Sequence, residues 1–178
     1  YFDDLSASAF YDKVSGVDNR TKYRIRCYNY EYGVIKLEKK EKLGHLTRKT
    51  AQSLTLAQTR AIGENPRGFS AEGLAEELRL YCCAKGARPM VLVDYDRTPF
   101  VSADGNTRIT IDENLRTLPY HDDLFASSEA MIPVLEPDQV ILEVKFDDFL
   151  PGHLNDCLAD IPKAAMAISK FAMCMNFI

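Results

Sequence analysis

No stretch of this sequence approaches the roughly 20 consecutive apolar residues that a helix needs to cross hydrocarbon. No signal-peptide pattern is read either, so a cytoplasmic protein that does not itself span a membrane is expected. Histidine is scarce. His45, His121 and His153 fall in predicted loops and are read as surface residues, which leaves nucleophilic triads without support. The five cysteines (Cys27, Cys82, Cys83, Cys157, Cys174) are an odd number without ligand-like spacing. Cys82 and Cys83 are adjacent on a helical pattern and so point in different directions. These are read as reduced thiols, against a zinc site or a disulfide framework. Repeats, low-complexity tracts and interdomain linkers are also missing, so residues 1–178 are expected to form one domain. The opening Y-F-D-D resembles the end of a strand, which leads to the expectation that further N-terminal strand sequence precedes Tyr1.

What is present is charge, unevenly placed. The chain has a net charge of −4, yet residues 20–49 hold ten Lys and Arg against three Glu. An acidic protein with one basic segment is not built for broad nucleic-acid binding, and a local anion site is the better expectation. Strict alternation over 21–30 places Lys22, Arg24 and Arg26 on one face. The run I-K-L-E-K-K-E-K then puts Lys36, Glu38, Lys40 and Lys42 on one face of a returning strand over 34–43, after a turn at 31–33. Leu37, Lys39, Glu41 and Leu43 are expected to face outward. Further strands are predicted over 89–100, 107–112 and 139–146, the first two joined by the D-G-N turn at Asp104–Asn106. Helices are predicted over 6–14, over 56–64 behind a Thr55-x-x-Gln58 capping box, from a Ser70 cap to a Gly86 terminator, and over 163–175.

The polar faces together carry Lys22, Arg24, Arg26, Lys36, Glu38, Lys40, Lys42, Arg97, Arg108, Thr110, Asp112, Glu143 and Lys145. Taken singly, each is an ordinary solvated position on a half-exposed sheet. Taken together they are not, because like charges paired across strands repel. Guanidinium forks match phosphate oxygens, and lysines add movable point charges. Carboxylates among such cations suit Mg²⁺ or Mn²⁺ held jointly with substrate phosphates, or else serve as salt-bridge partners that orient the basic groups. Glu38 and Glu143 are the candidates.

Six segments then carry a resemblance: K-Y-R-I-R-C-Y-N, I-K-L-E-K-K-E-K, Y-D-R-T-P-F, R-I-T-I-D, I-L-E-V-K-F and I-S-K-F, in that order. Together they are similar to the VTC-type polyphosphate polymerase domain of the CYTH, or triphosphate tunnel metalloenzyme, superfamily, over nearly the whole chain. The resemblance implies an α+β fold: an eight-stranded antiparallel β-barrel with inserted and C-terminal helices. Its tunnel would hold ATP, polyphosphate or another phosphorylated anion, with Mn²⁺ or Mg²⁺. Arg24, Arg26, Lys40, Arg97, Arg108 and Lys170 would act on the reacting phosphates. Lys22, Lys36, Lys42, Lys49, Lys145 and Ser169 would bind them, and Glu143 and Glu38 would hold the metal. The implied activity is a metal-dependent phosphotransferase that extends polyphosphate with the γ-phosphoryl group of ATP. A non-catalytic binding module and a triphosphate hydrolase are the alternatives, and a membrane-protein partner is a further expectation. Two departures from the superfamily pattern stand out. Lys36 replaces the first glutamate of the Glu-x-Glu-x-Lys element found in hydrolase and cyclase branches, which disfavours a two-metal hydrolase. Ala167 stands near a position that is basic in some members.

Overall fold

The computed structural model describes residues 1–121, 123–125, 130–161 and 167–178. Nine strands and five helices are found among them. The strands do not close into a barrel. They lie in three separate antiparallel sheets: β1 (Phe2–Asp3) with β5 (Arg88–Pro89); β2 (Arg20–Tyr28), β3 (Glu31–Leu43) and β4 (Leu46–Leu54); and β6 (Val91–Ser102) beside β7 (Thr107–Pro119), which also pairs β8 (Ile132–Pro133) and β9 (Ile141–Lys145). The eight-stranded barrel expected from the sequence is thereby corrected. Alternation is the same whether a wet face lines a closed lumen or one side of an open sheet, so it could not tell the two apart. β6 also behaves as an edge. It carries Pro99, which has no N–H to donate, and among the described strands it pairs with β7 alone.

The β2–β3 turn lies at Asn29 and Tyr30, both with positive φ (51° and 57°), and not at 31–33. Gly44, at φ 58°, then turns the chain into β4. No strand signal is legible there, because 46–54 is largely polar and largely solvated, with Thr50 and Gln52 half-buried and Leu54 buried. β7 continues past its predicted end as far as Pro119, crossing a bulge opposite Asp94–Asp96 where Asn114 takes φ 51°.

The helices follow their chemistry closely. α1 spans Ser8–Val14. α2 (Leu56–Glu64) starts with the full capping box: Thr55 Oγ1 accepts from the Gln58 N–H, and the Gln58 side chain accepts from the Thr55 N–H. α3 (Leu74–Lys85) ends on Gly86 in the left-handed region, but its N-cap is Gly73 rather than Ser70. α4 spans Gly152–Ala159. The predicted helix over 163–175 is described only from 167 onward, where α5 covers Lys170–Met175; residues 163–166 lie outside the described residues.

Two apolar cores result. In the first, Tyr23, Ile35 and Leu37 of β2 and β3 pack with Ile62 of α2 and with Leu74, Leu78 and Cys82 of α3. Leu37 is therefore fully buried rather than outward-facing, and Lys39 beside it is tied to Glu41 and Glu77. The second core joins Val91, Leu115 and Ile141 of the third sheet to Phe171 and Cys174 of α5. In the second sheet the apolar and polar faces are thus opposite, whereas in the third Ile141 of the core shares its side of β9 with Glu143 and Lys145, so apolar packing and polar groups lie along one face. Among the described residues, no helix is long and apolar enough to cross a membrane.

Candidate functional site

The polar face of the second sheet is built by register. Lys22 stands opposite Lys40, Arg24 opposite Glu38, and Arg26 opposite Lys36. On the other side of β3, Lys40 stands opposite Lys49. Two of these three β2–β3 rows oppose like charges, as does Arg20 opposite Lys42 farther along the strands, an arrangement that costs stability unless an anion compensates it. The middle row supplies the compensation present in the fold. Glu38, 5% exposed, takes Arg24 Nε at 2.7 Å and Lys49 Nζ at 3.0 Å. Burial opposes its charge, but the hydrogen bonds and charges of Lys49 and Arg24 outweigh that and hold the carboxyl below its usual range.

The third sheet is arranged in the same way around a different acid. Asp112, fully buried, accepts two hydrogen bonds from Arg97, at 2.5 and 2.7 Å, and is ion-paired with Lys170 of α5. These partners outweigh the burial that would otherwise raise its pKa. Arg97 also reaches Glu143 at 3.7 Å, and Lys145 meets Glu143 at 3.0 Å. Tyr95 lies under both cations, its ring centre 5.2 Å from the Arg97 guanidinium carbon and 5.1 Å from Lys170 Nζ. Arg108 is opposite Lys145 in the β7–β9 register.

The two polar faces look toward each other. Arg24 donates to the Tyr1 hydroxyl at 2.7 Å, Tyr1 packs on Phe171, and Lys22 Nζ sits 4.4 Å from the Phe171 ring centre. Lys40 on β3 feels the charges of Lys145 and Glu143 on β9. Desolvation, followed by repulsion from Lys145 and Arg24, lowers the Lys40 pKa. Lys22 is pushed further, to about 7, by burial first and then by Lys13 and Arg20.

Most of the sequence-derived residues therefore gather in one place. Lys22, Arg24, Arg26, Lys36, Glu38, Lys40 and Lys49 belong to the second-sheet face, and Arg97, Arg108, Glu143, Lys145 and Lys170 to the third-sheet side. Two stand apart. Lys42 is tied to Asp18 at 3.1 Å near the β3–β4 turn, and the Ser169 hydroxyl caps α5 by accepting from the Ala172 N–H. Lys22, Arg26, Lys36, Lys40 and Arg108 have no carboxylate ion-pair partner among the described residues. Sequence reasoning placed Asp112 on the polar face without giving it a role and passed over Tyr95, although Tyr95-x-Arg97 has the right parity to place that ring on the same face.

A group of three or more His, Cys, Asp or Glu able to enclose a metal does not occur among the described residues. Glu38 and Glu143 each have both oxygens near cations, but the Glu38 side chain is 6% exposed and that of Glu143 39%. A lone accessible carboxylate suits a hard divalent cation that takes its remaining ligands from phosphates and water. A family model described as VTC domain matches residues 1–178, the whole chain. No curated protein and no solved structure matches it.

Proposed function

Because the chain belongs to the VTC domain family, whose function is polyphosphate-related, we propose that its facing basic surfaces bind a nucleoside triphosphate and a polyphosphate chain. One observation carries this reading. Five cations without a carboxylate partner among the described residues (Lys22, Arg26, Lys36, Lys40, Arg108) stand on these surfaces, some of them opposed to one another across strands. Such a surface is short of negative charge, and a phosphate chain supplies it in the repeating form that rows of cations accept.

The chemistry that follows is phosphoryl transfer. The terminal oxygen of a polyphosphate chain attacks the γ-phosphorus of ATP, the bond to the β,γ-bridging oxygen breaks, and ADP leaves a chain longer by one phosphate. The protein's part is positioning and charge neutralisation. Arg24 and Arg26 hold phosphates from the second sheet, and Arg97, Arg108 and Lys170 hold them from the third. Lys40 completes the acting set, with Lys22, Lys36, Lys49 and Lys145 as accessory cations. Glu143 is the residue that would hold Mn²⁺ or Mg²⁺, and the metal, when bound, neutralises charge on the bridging phosphates. Glu38 and Asp112 keep the arginines oriented.

Among the described residues no group of three or more metal-ligating side chains occurs, and Glu143 is itself paired with Arg97 and Lys145, which favours a second reading, in which the surface binds polyphosphate without turnover. Incubation with ATP and Mn²⁺ separates the two: the polymerase reading expects long acid-labile chains. Binding of tripolyphosphate with no chain formation and no phosphate release would leave the binding module. Replacing Arg24 and Arg26 together by Ala should abolish measurable tripolyphosphate binding, and unchanged binding would remove the site assignment.

A further inference from the structure

The row of cations on β2 ends in an aromatic ring. Tyr28 follows Arg26 by two on β2, across the point where the register with β3 shifts, and the Arg26 guanidinium carbon lies 4.5 Å from its ring centre. One ring face thus carries Arg26, while 44% of the residue stays open to solvent. Tyr30 and Tyr32 flank it at the same hairpin tip, 40% and 55% exposed, with Tyr32 engaged edge-on by Phe125 at 4.6 Å. An exposed tyrosine backed by an arginine that lacks a carboxylate partner among the described residues is a stacking platform next to a phosphate contact.

Resting on the reading of the site given above, we infer that Tyr28 receives the base of the nucleoside triphosphate, with the phosphates running inward along Arg26 and Arg24. Alternate residues on one strand face are roughly 6.7 Å apart. The ribose fits the step from Tyr28 to Arg26, so the first phosphate meets Arg26 and later ones meet Arg24 and Lys22. Nothing else about the ring selects a particular base. Stacking accepts any π-face, and the larger purines gain more from it. The site therefore distinguishes nucleotide from bare polyphosphate at Tyr28 and treats their phosphates alike further in.

The test compares ATP with tripolyphosphate by titration calorimetry on the full chain, for the unsubstituted protein, Tyr28→Ala and Tyr28→Phe. Tyr28→Ala should weaken ATP by about ten-fold, the order expected for one stacked base, and leave tripolyphosphate within about two-fold. Tyr28→Phe should restore ATP, since the ring and not the hydroxyl does the stacking. Equal weakening of both ligands would mean that Tyr28 only orients Arg26, and the inference would be wrong. Undiminished ATP affinity in Tyr28→Ala, with tripolyphosphate bound normally, would overturn it and leave the anion site standing. If the unsubstituted protein bound neither ligand, the functional reading itself would fall, and this inference with it.

Discussion

Asp112 bears an unusual load for a single side chain: it is fully buried and neutralises both Arg97 and Lys170. Removing a buried carboxylate leaves its cations unpaired, which is worth more than the net stability of the pair itself. Asp112→Ala is expected to lose about 3–5 kcal/mol in urea unfolding, and Asp112→Asn somewhat less because the amide oxygen still accepts. Lys22 gives the opposite kind of prediction. Its pKa falls from 10.5 in the unfolded chain to about 7 in the folded one, so between those values the unfolded state binds more protons. Stability should therefore rise with pH from about 7 to 10.5. A bound anion favours the charged amine, so ligand binding in that window should take up protons. Calorimetry at pH 8 in buffers of different ionisation enthalpy would detect the uptake, and Lys22→Met should reduce it. A stability profile flat over that window would contradict the assignment.

Among the elements, those with local chemical signals were the ones the sequence made readable. The α2 capping box, the Gly86 stop and the D-G-N turn each depend on a few adjacent residues, and each is where expected. Thr55→Ala should accordingly cost about 1 kcal/mol by thermal or urea denaturation. β4 gave no such signal, since neither of its faces is apolar, and its position follows from register with β3. The buried face of β3 was misjudged for a related reason. Alternation separates two faces but does not say what covers them, and α3 turned out to cover the one holding Leu37. The site was legible as two rows of cations because charge parity survives any arrangement of the sheets. Its carboxylate centres were not, because the use of Asp112 depends on α5 bringing Lys170 to it.

In the whole molecule, ligand would be gripped by two sheets that share no strand pairing among the described residues. Anything that binds the folded state alone stabilises it, by about 2.7 kcal/mol at one hundred times Kd. For a chain of this size that corresponds to roughly 5–10 °C in Tm, readable by calorimetry with tripolyphosphate. Raising salt from low to physiological strength should shrink the shift, as screening weakens the exposed cations most. The carboxylates at the centres of the two sheets bear on which anions succeed. Arg24, Lys49, Arg97 and Lys170 already possess counter-ions in Glu38 and Asp112, so a lone small anion must outcompete a tethered rival at each. A chain anchored on the free cations arrives at those positions at high effective concentration and can exchange with the carboxylates one after another. On the proposed reading, the resting protein would work as an ion exchanger already loaded with its own acids, a filter for valence that favours the polymer over inorganic phosphate at those four positions.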